Sequence, residues 1–181
     1  MKQDEGESHL ATILHHGQKT PMTWAEICED KFLNSIEWRV ESDRWGNVVI
    51  TPPRSSRHGE YQSEVGALLR EKLNSGRVLT ECPLQTSEGV KAIDVAWASH
   101  ERRKSKPHDP LFLVAPEICV EVESPSNSHA EFMERQRLCF EQGAVEFWIC
   151  GLLGEMTFHD RTGEIPASEL CPVFPKKIEL D

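Results

Sequence analysis

The chain has 181 residues, 38% of them hydrophobic, which suits one ordinary core in one domain. Twenty Lys and Arg against thirty Asp and Glu leave a net charge of −10. That balance argues against tight non-specific nucleic-acid binding, but not against an acidic metal site flanked by local cations. No apolar run of about 18 residues is present, so no membrane span is expected. Met1–Gly6 is acidic and precedes no apolar stretch, so no secretory pattern is read. The six cysteines are scattered without a CxxC pair, and three lie inside apolar runs; they read as buried free thiols in a reducing cytoplasm. No P-loop, GxSxG or dinucleotide glycine pattern occurs.

Residues 1–20 are polar and lack an apolar period, and are expected to be a flexible segment ahead of a single domain at 21–181. Thr23 can cap a short helix holding Trp24, Ile27 and Cys28, with Glu26 completing a capping box. Ile36, Trp38 and Val40 alternate with polar residues, Asp43 to Gly46 turns the chain, and Val48 to Ile50 returns. This is a β-hairpin, closed by Pro52 and Pro53. Tyr61, Val65, Leu68, Leu69 and Leu73 fall on one face of a helix that ends near Gly76. Val78 to Cys82 and Val90 to Ala98 read as strands. In the second, Ile93, Val95 and Trp97 should point one way and Ala92, Asp94 and Ala96 the other. Arg102, Arg103, Lys104 and Lys106 form a basic stretch read as a solvated loop. Pro116 to Glu123 is the most apolar strand. Ser128 and Glu131 then form a second capping box, for a helix running to Gly143. Val145 to Cys150 is a buried strand, Glu155 to His159 opens a small hairpin, and the proline-bearing tail reads as irregular.

The central order is therefore helix, three strands, helix, strand: an α/β domain with a mixed sheet covered by helices. This αβββαβ order is the core of the restriction-endonuclease fold, here with an N-terminal β-hairpin and a C-terminal hairpin added. Many α/β domains contain the same order, so the residues on the strands have to decide. Asp94 and Glu121 are carboxylates within apolar strands, costly there unless paired or bound to metal. Together they would make a hard-oxygen site suited to Mg²⁺ or Mn²⁺; the alternative is that both lie on solvent-facing sides of half-exposed strands.

Several segments carry a resemblance. They are His58 to Gln62, Glu81 to Pro83, Gly89 to Trp97, Pro116 to Asn127, Phe140 to Cys150 and Leu170 to Pro175. Over roughly Thr23 to Pro175 the chain resembles the Uma-type putative restriction endonuclease family of the PD-(D/E)xK superfamily. The resemblance implies a Mg²⁺-dependent nuclease fold, often dimeric, with Asp94 and Glu121 as the metal-binding acids. It also places Arg135, eight residues before Gly143, where the superfamily lysine is supplied from the second helix. Lysine can lose a proton when desolvated; arginine, with a pKa above about 12, cannot, although it can hold a phosphate or stabilise charge. An ordinary i, i+4 pair with Glu131 is the other reading of Arg135. Glu123 replaces an apolar residue and, two positions from Glu121, shares its face as a further metal ligand or as a neighbour that raises its pKa.

The expected function is a Mg²⁺-dependent endonuclease that hydrolyses DNA phosphodiesters through Asp94, Glu121 and Arg135. The alternative is a catalytically impaired nuclease-fold protein acting as a binding or regulatory partner. Pairing of the Trp38 and Trp45 hairpin across a two-fold axis would make a homodimer.

Overall fold

The fold was obtained as a computed structural model that describes residues 12–13, 21–104, 110–125 and 127–180. The expectation of a flexible 1–20 segment falls outside those residues, apart from Thr12–Ile13, which form β1. The Thr23 capping box is present and starts α1 (Trp24–Glu29). A 3-10 turn follows, then the expected hairpin of β2 (Arg39–Ser42) and β3 (Val48–Thr51). Together β1, β3 and β2 make a three-stranded antiparallel sheet. Ile27, Val48 and Ile50 form a small core beside it.

The main body begins with α2 (Ser56–Lys72), capped by Ser55, whose Oγ accepts the His58 N–H. β4 (Arg77–Thr86) and β5 (Gly89–Ala98) form a long antiparallel pair, followed by the short α3 (His100–Lys104). β6 (Ile118–Val122) leads through the Ser128 capping box into α4 (His129–Glu141), and β7 (Glu146–Cys150) returns parallel to β6. A parallel pair needs such a crossover, and α4 is that connection. β8 (Met156–Asp160) and β9 (Gly163–Ile165) extend the sheet, whose order is β4-β5-β6-β7-β8-β9.

Each face of this sheet buries a core. Tyr61, Val65 and Leu69 of α2 pack with Val95, Ile118, Val120 and Trp148 on one side. Cys139 of α4 packs with Ile93, Ala96, Cys119 and Phe147 on the other. The tail is more ordered in its role than its composition suggests: Cys171, Phe174 and Ile178 are buried against Trp148 and Phe158. Buried Glu146 holds this tail through the Glu169 and Leu170 N–H groups and also accepts the Trp148 indole N–H at 2.7 Å.

One expectation about facing is corrected. Ile93 lies on the same side as Ala96, not with Val95 and Trp97, and Leu79 and Cys82 of β4 likewise share a side. Both strands lose one beat of alternation at Glu81, whose φ is +49°, opposite Asp94; the pairing resumes at Cys82 with Ile93. A left-handed non-glycine residue in a ladder acts like a bulge and re-aims the neighbouring side chains.

The basic stretch is also less solvated than read. Arg102 pairs with Glu117 at 3.4 Å and donates to the Gly143 carbonyl, and Arg103 lies over the Phe112 ring; Lys106 is outside the described residues. All six cysteines are free, and all but Cys28 are buried; burial pushes the Cys82 thiol up to about 12, which keeps it inert.

Candidate active site

The site forms where the sheet opens. β5 and β6 pair only from Val95–Trp97 to Ile118–Val120. Two residues further on, the Val122 N–H turns to the Asp94 carboxylate instead of a ladder partner: Oδ2 accepts that N–H at 2.8 Å. The shift in alternation at Glu81 and Asp94 therefore directs a carboxylate into the gap between two strands. Asp94 is 1% exposed and Glu121 3%. The reading that both acids face solvent is excluded.

Neither acid is alone. Asp94 Oδ1 accepts a hydrogen bond from Arg39 Nη1 at 2.6 Å. Oδ2 also faces His58 Nε2 at 3.2 Å; since an ionised carboxylate only accepts, that nitrogen carries the proton. Burial pushes the Asp94 carboxyl upward, but the Arg39 guanidinium and the His58 hydrogen bond outweigh it, and the acid is held well below the usual carboxylate range. Gln62, one turn along α2, donates to the Asp94 carbonyl at 2.8 Å and to Glu81 at 3.1 Å.

Arg135 reaches in from α4 and does not pair with Glu131, which is the capping acid of its own helix. Its Nη2 donates to Glu41 Oε1 at 2.7 Å, its Nη1 to the Ala92 carbonyl at 3.2 Å, and Nη1 lies 3.5 Å from Glu121 Oε1. Glu41 also takes the Ala92 N–H at 3.1 Å and an ion pair with Arg39 Nε at 3.3 Å. The buried Arg39 and half-buried Arg135 guanidiniums and three buried carboxylates thus interlock β2, β5, β6 and α4. Glu121 is the least satisfied of the three carboxylates, because its buried Oε1 accepts no hydrogen bond. Burial pushes its carboxyl up to about 8, against the pull of Arg135.

Of the residues singled out in the sequence, Asp94, Glu121 and Arg135 meet in this cluster. Glu123 does not join them by any hydrogen bond; its carboxylate accepts the Leu152 N–H at 3.3 Å, beyond the end of β7. Lys91 donates to the Ser42 carbonyl at 3.1 Å, toward the hairpin. Glu60 is exposed and Glu64 half-buried, and neither enters the cluster. Arg39, Glu41 and His58 were not anticipated. Arg39 and Glu41 flank Val40 on one face of β2, and His58 stands three residues before Tyr61 on the buried face of α2. A charge of each sign on one strand face and a histidine on an apolar helix face were the available signals.

The donor chemistry fits a hard divalent cation in part. Two carboxylates on adjacent strands, one with a buried oxygen that accepts no hydrogen bond, are the oxygen set such an ion takes. Asp94, however, is already neutralised by Arg39, so a cation would have to compete with that guanidinium. Among the described residues no group of three or more His, Cys, Asp and Glu side chains is arranged to hold a metal. Any ion here would keep most of its waters.

The comparisons with known proteins agree with the fold. A solved structure of a putative nuclease belonging to DUF820 from Anabaena variabilis superposes with a TM-score of 0.66. The match covers 83% of this chain and 92% of that one at 17% identity, which establishes the common fold. No curated protein matches the sequence. The family model described as Uma2, putative restriction endonuclease, matches residues 30–158, a span that contains Arg39, Glu41, His58, Asp94, Glu121 and Arg135. The chain belongs to the Uma2 putative restriction endonuclease family.

Proposed function

We propose that this protein is a divalent-metal-dependent nuclease that hydrolyses DNA phosphodiester bonds, with Asp94 and Glu121 as the metal-holding acids. The observation that carries the reading is Glu121 Oε1, which accepts no hydrogen bond and is buried beside Asp94 where β5 and β6 part. A bound Mg²⁺ or Mn²⁺ would supply a water acidic enough to attack phosphorus and positive charge for the leaving oxygen. The chain's own groups do the positioning. His58 and the Val122 N–H fix the rotamer of Asp94. Arg135 holds Glu41 and lies against Glu121, where it can stabilise charge but cannot take a proton. The homodimer and the cytoplasmic setting are part of the same proposal. The free thiols are compatible with a reducing compartment, and light scattering at twice 20.6 kDa would support the dimer.

A second reading, a nuclease fold that binds without cutting, is favoured by a different observation: Arg39 occupies Asp94 at 2.6 Å, and Arg135 stands where a titratable lysine is expected. Two measurements separate the readings. Calorimetry with Mn²⁺ should show a site that is lost in Asp94→Ala and in Glu121→Gln; equal binding by all three proteins would remove the metal from the proposal. Plasmid nicking in Mg²⁺ should be slow in the wild type and faster in Arg135→Lys, since proton-transfer help is typically worth about 10²–10⁴ in rate. The gain must disappear on adding Asp94→Ala. Mn²⁺ binding without cleavage by either protein would establish the second reading.

A further inference from the structure

A cleft of about 350 Å³ lies against the cluster just described, bounded by Trp38, Arg39, Arg54, Ser55, His58 and Gln62. Three features of its wall call for an anion. The first is Arg39. Its side chain is 94% buried; Nη1 donates to Asp94, Nε lies within ion-pair distance of Glu41 and Glu81, and neither Nε nor Nη2 has a hydrogen-bond partner. A buried guanidinium N–H₂ left without an acceptor is costly, and a carboxylate or phosphate oxygen is what it matches. The second is the start of α2, a 17-residue helix whose first turn presents Ser55, His58 and Gly59 to the cleft. A side chain at Gly59 would meet nothing within 4 Å, so this turn is open to approach. The helix end adds partial positive charge. The third is Arg54, which anchors Nη1 on Ser124 Oγ at 2.7 Å, in the turn after β6, and so stands between the cleft and the strand carrying Glu121. Of the acids on the same wall, Glu81 is already engaged by Gln62 and Arg39, and Glu37 is exposed.

The rim adds a different element. Trp38 is 46% exposed, lines this cleft, and belongs to the strand-leading segment just before Arg39. Trp38 and Arg39 line the same cleft, so its wall offers an apolar ring for a base beside a cation for a phosphate. In a duplex the base faces are covered by their neighbours; in a single strand they are free to stack.

We propose that this cleft binds single-stranded nucleic acid, with a backbone phosphate between Arg39, Arg54 and the start of α2 and a base stacked on Trp38. The proposal rests on the nuclease reading for its substrate class and extends it by naming how the strand is seated. The net charge of −10 works against long-range attraction of a polyanion, so short-range contacts of this kind have to provide the affinity.

The test is fluorescence anisotropy with a labelled 20-mer oligothymidine and with a DNA duplex of the same length, in EDTA so that no metal contributes. Wild type should bind the single strand and bind the duplex more weakly. Trp38→Ala should weaken single-strand binding roughly tenfold, the loss expected of one stacked base, and leave duplex binding nearly unchanged. Arg54→Ala should weaken both and lower the salt dependence by about one phosphate contact. Arg39→Lys, which keeps the charge but loses the second N–H₂, should weaken both while circular dichroism shows the native fold. An oligouridine of equal length in place of oligothymidine tells RNA from DNA. Wild type that fails to bind at 100 μM, or variants that bind as wild type does, overturn the proposal. These outcomes are separable from those of the nuclease reading. Binding lost in Trp38→Ala without any metal-dependent cleavage retains the cleft and removes the nuclease. Cleavage with an unchanged KM in Trp38→Ala and Arg54→Ala does the reverse.

Discussion

Replacing Arg135 by Met keeps most of the side-chain volume and removes the charge that Glu41 and Glu121 share. Glu41 would then be a carboxylate with 7% side-chain exposure that retains Arg39 Nε at 3.3 Å and the Ala92 N–H at 3.1 Å. The Ala92 carbonyl would also lose its donor. Breaking a buried pair from one side costs about 3–5 kcal/mol, because the remaining charge is uncompensated. In a domain of this size each kcal/mol moves Tm by about 2–4 °C, so Arg135→Met should lower it by about 6–20 °C. Glu41→Gln alone leaves Arg135 with Glu121 and the Ala92 carbonyl and should cost less. The double variant is the informative one. If the two groups stabilise each other as the 2.7 Å contact implies, it should be more stable than the sum of the single losses predicts, by about 1.5–3 kcal/mol. Urea denaturation followed by Trp fluorescence gives all four free energies. Additivity within about 0.5 kcal/mol would refute the reasoning, since contacting charges cannot be independent.

Two other substitutions are sharply determined. Glu117 accepts the Ser99 N–H at 3.0 Å and the Ser99 hydroxyl at 2.6 Å and pairs with Arg102. Burial pushes its pKa up, but the Ser99 hydrogen bonds outweigh burial and the net shift is downward, so its contribution is present above the unfolded carboxyl pKa of about 4.3 and is lost as pH falls through the folded value. Glu117→Gln should therefore lower Tm at pH 7 and flatten its decline below about pH 4; a parallel displacement at every pH would contradict this. Gly89→Ala places a Cβ 2.3 Å from the Ser42 carbonyl oxygen at a φ of +90°, so the β4–β5 turn can no longer meet the β2–β3 hairpin. A loss of about 2 kcal/mol or more is expected by thermal melting, and an unchanged Tm would show that the turn adapts.

The elements governed by local rules were legible in the chain. Thr23 with Glu26, and Ser128 with Glu131, are capping boxes whose partners are three residues apart, and both form as read. The αβββαβ order followed from hydrophobic period alone. Of the site, Asp94 and Glu121 stand out as carboxylates within apolar strands, and Arg135 is reached only through the family resemblance. Arg39 and Glu41 could not be found. Their partners lie 55 and 94 residues away, across a docking of hairpin on sheet that no local period encodes. Ile93 was assigned to the wrong face for a related reason. Strict alternation assumes an unbroken ladder, and nothing in the letters around Glu81 announces a left-handed residue. Glu123 shows the limit of the shared-face argument: two positions on from Glu121, the strand is ending and the side chain follows the turn at Leu152.

The fastening of the tail by Glu146 bears on how this protein should be handled at the bench. The family match ends at residue 158, and a fragment cut there would look complete by that measure. It would leave Trp148 and Phe158 without Phe174 and Ile178 above them, and a carboxylate that is 1% exposed in the full chain without two of its three donors. Such a fragment combines a bare aromatic patch with an unquenched interior charge, a combination that favours precipitation over refolding. Expression trials, fusion junctions and protease-trimmed samples should therefore retain the chain at least through Ile178.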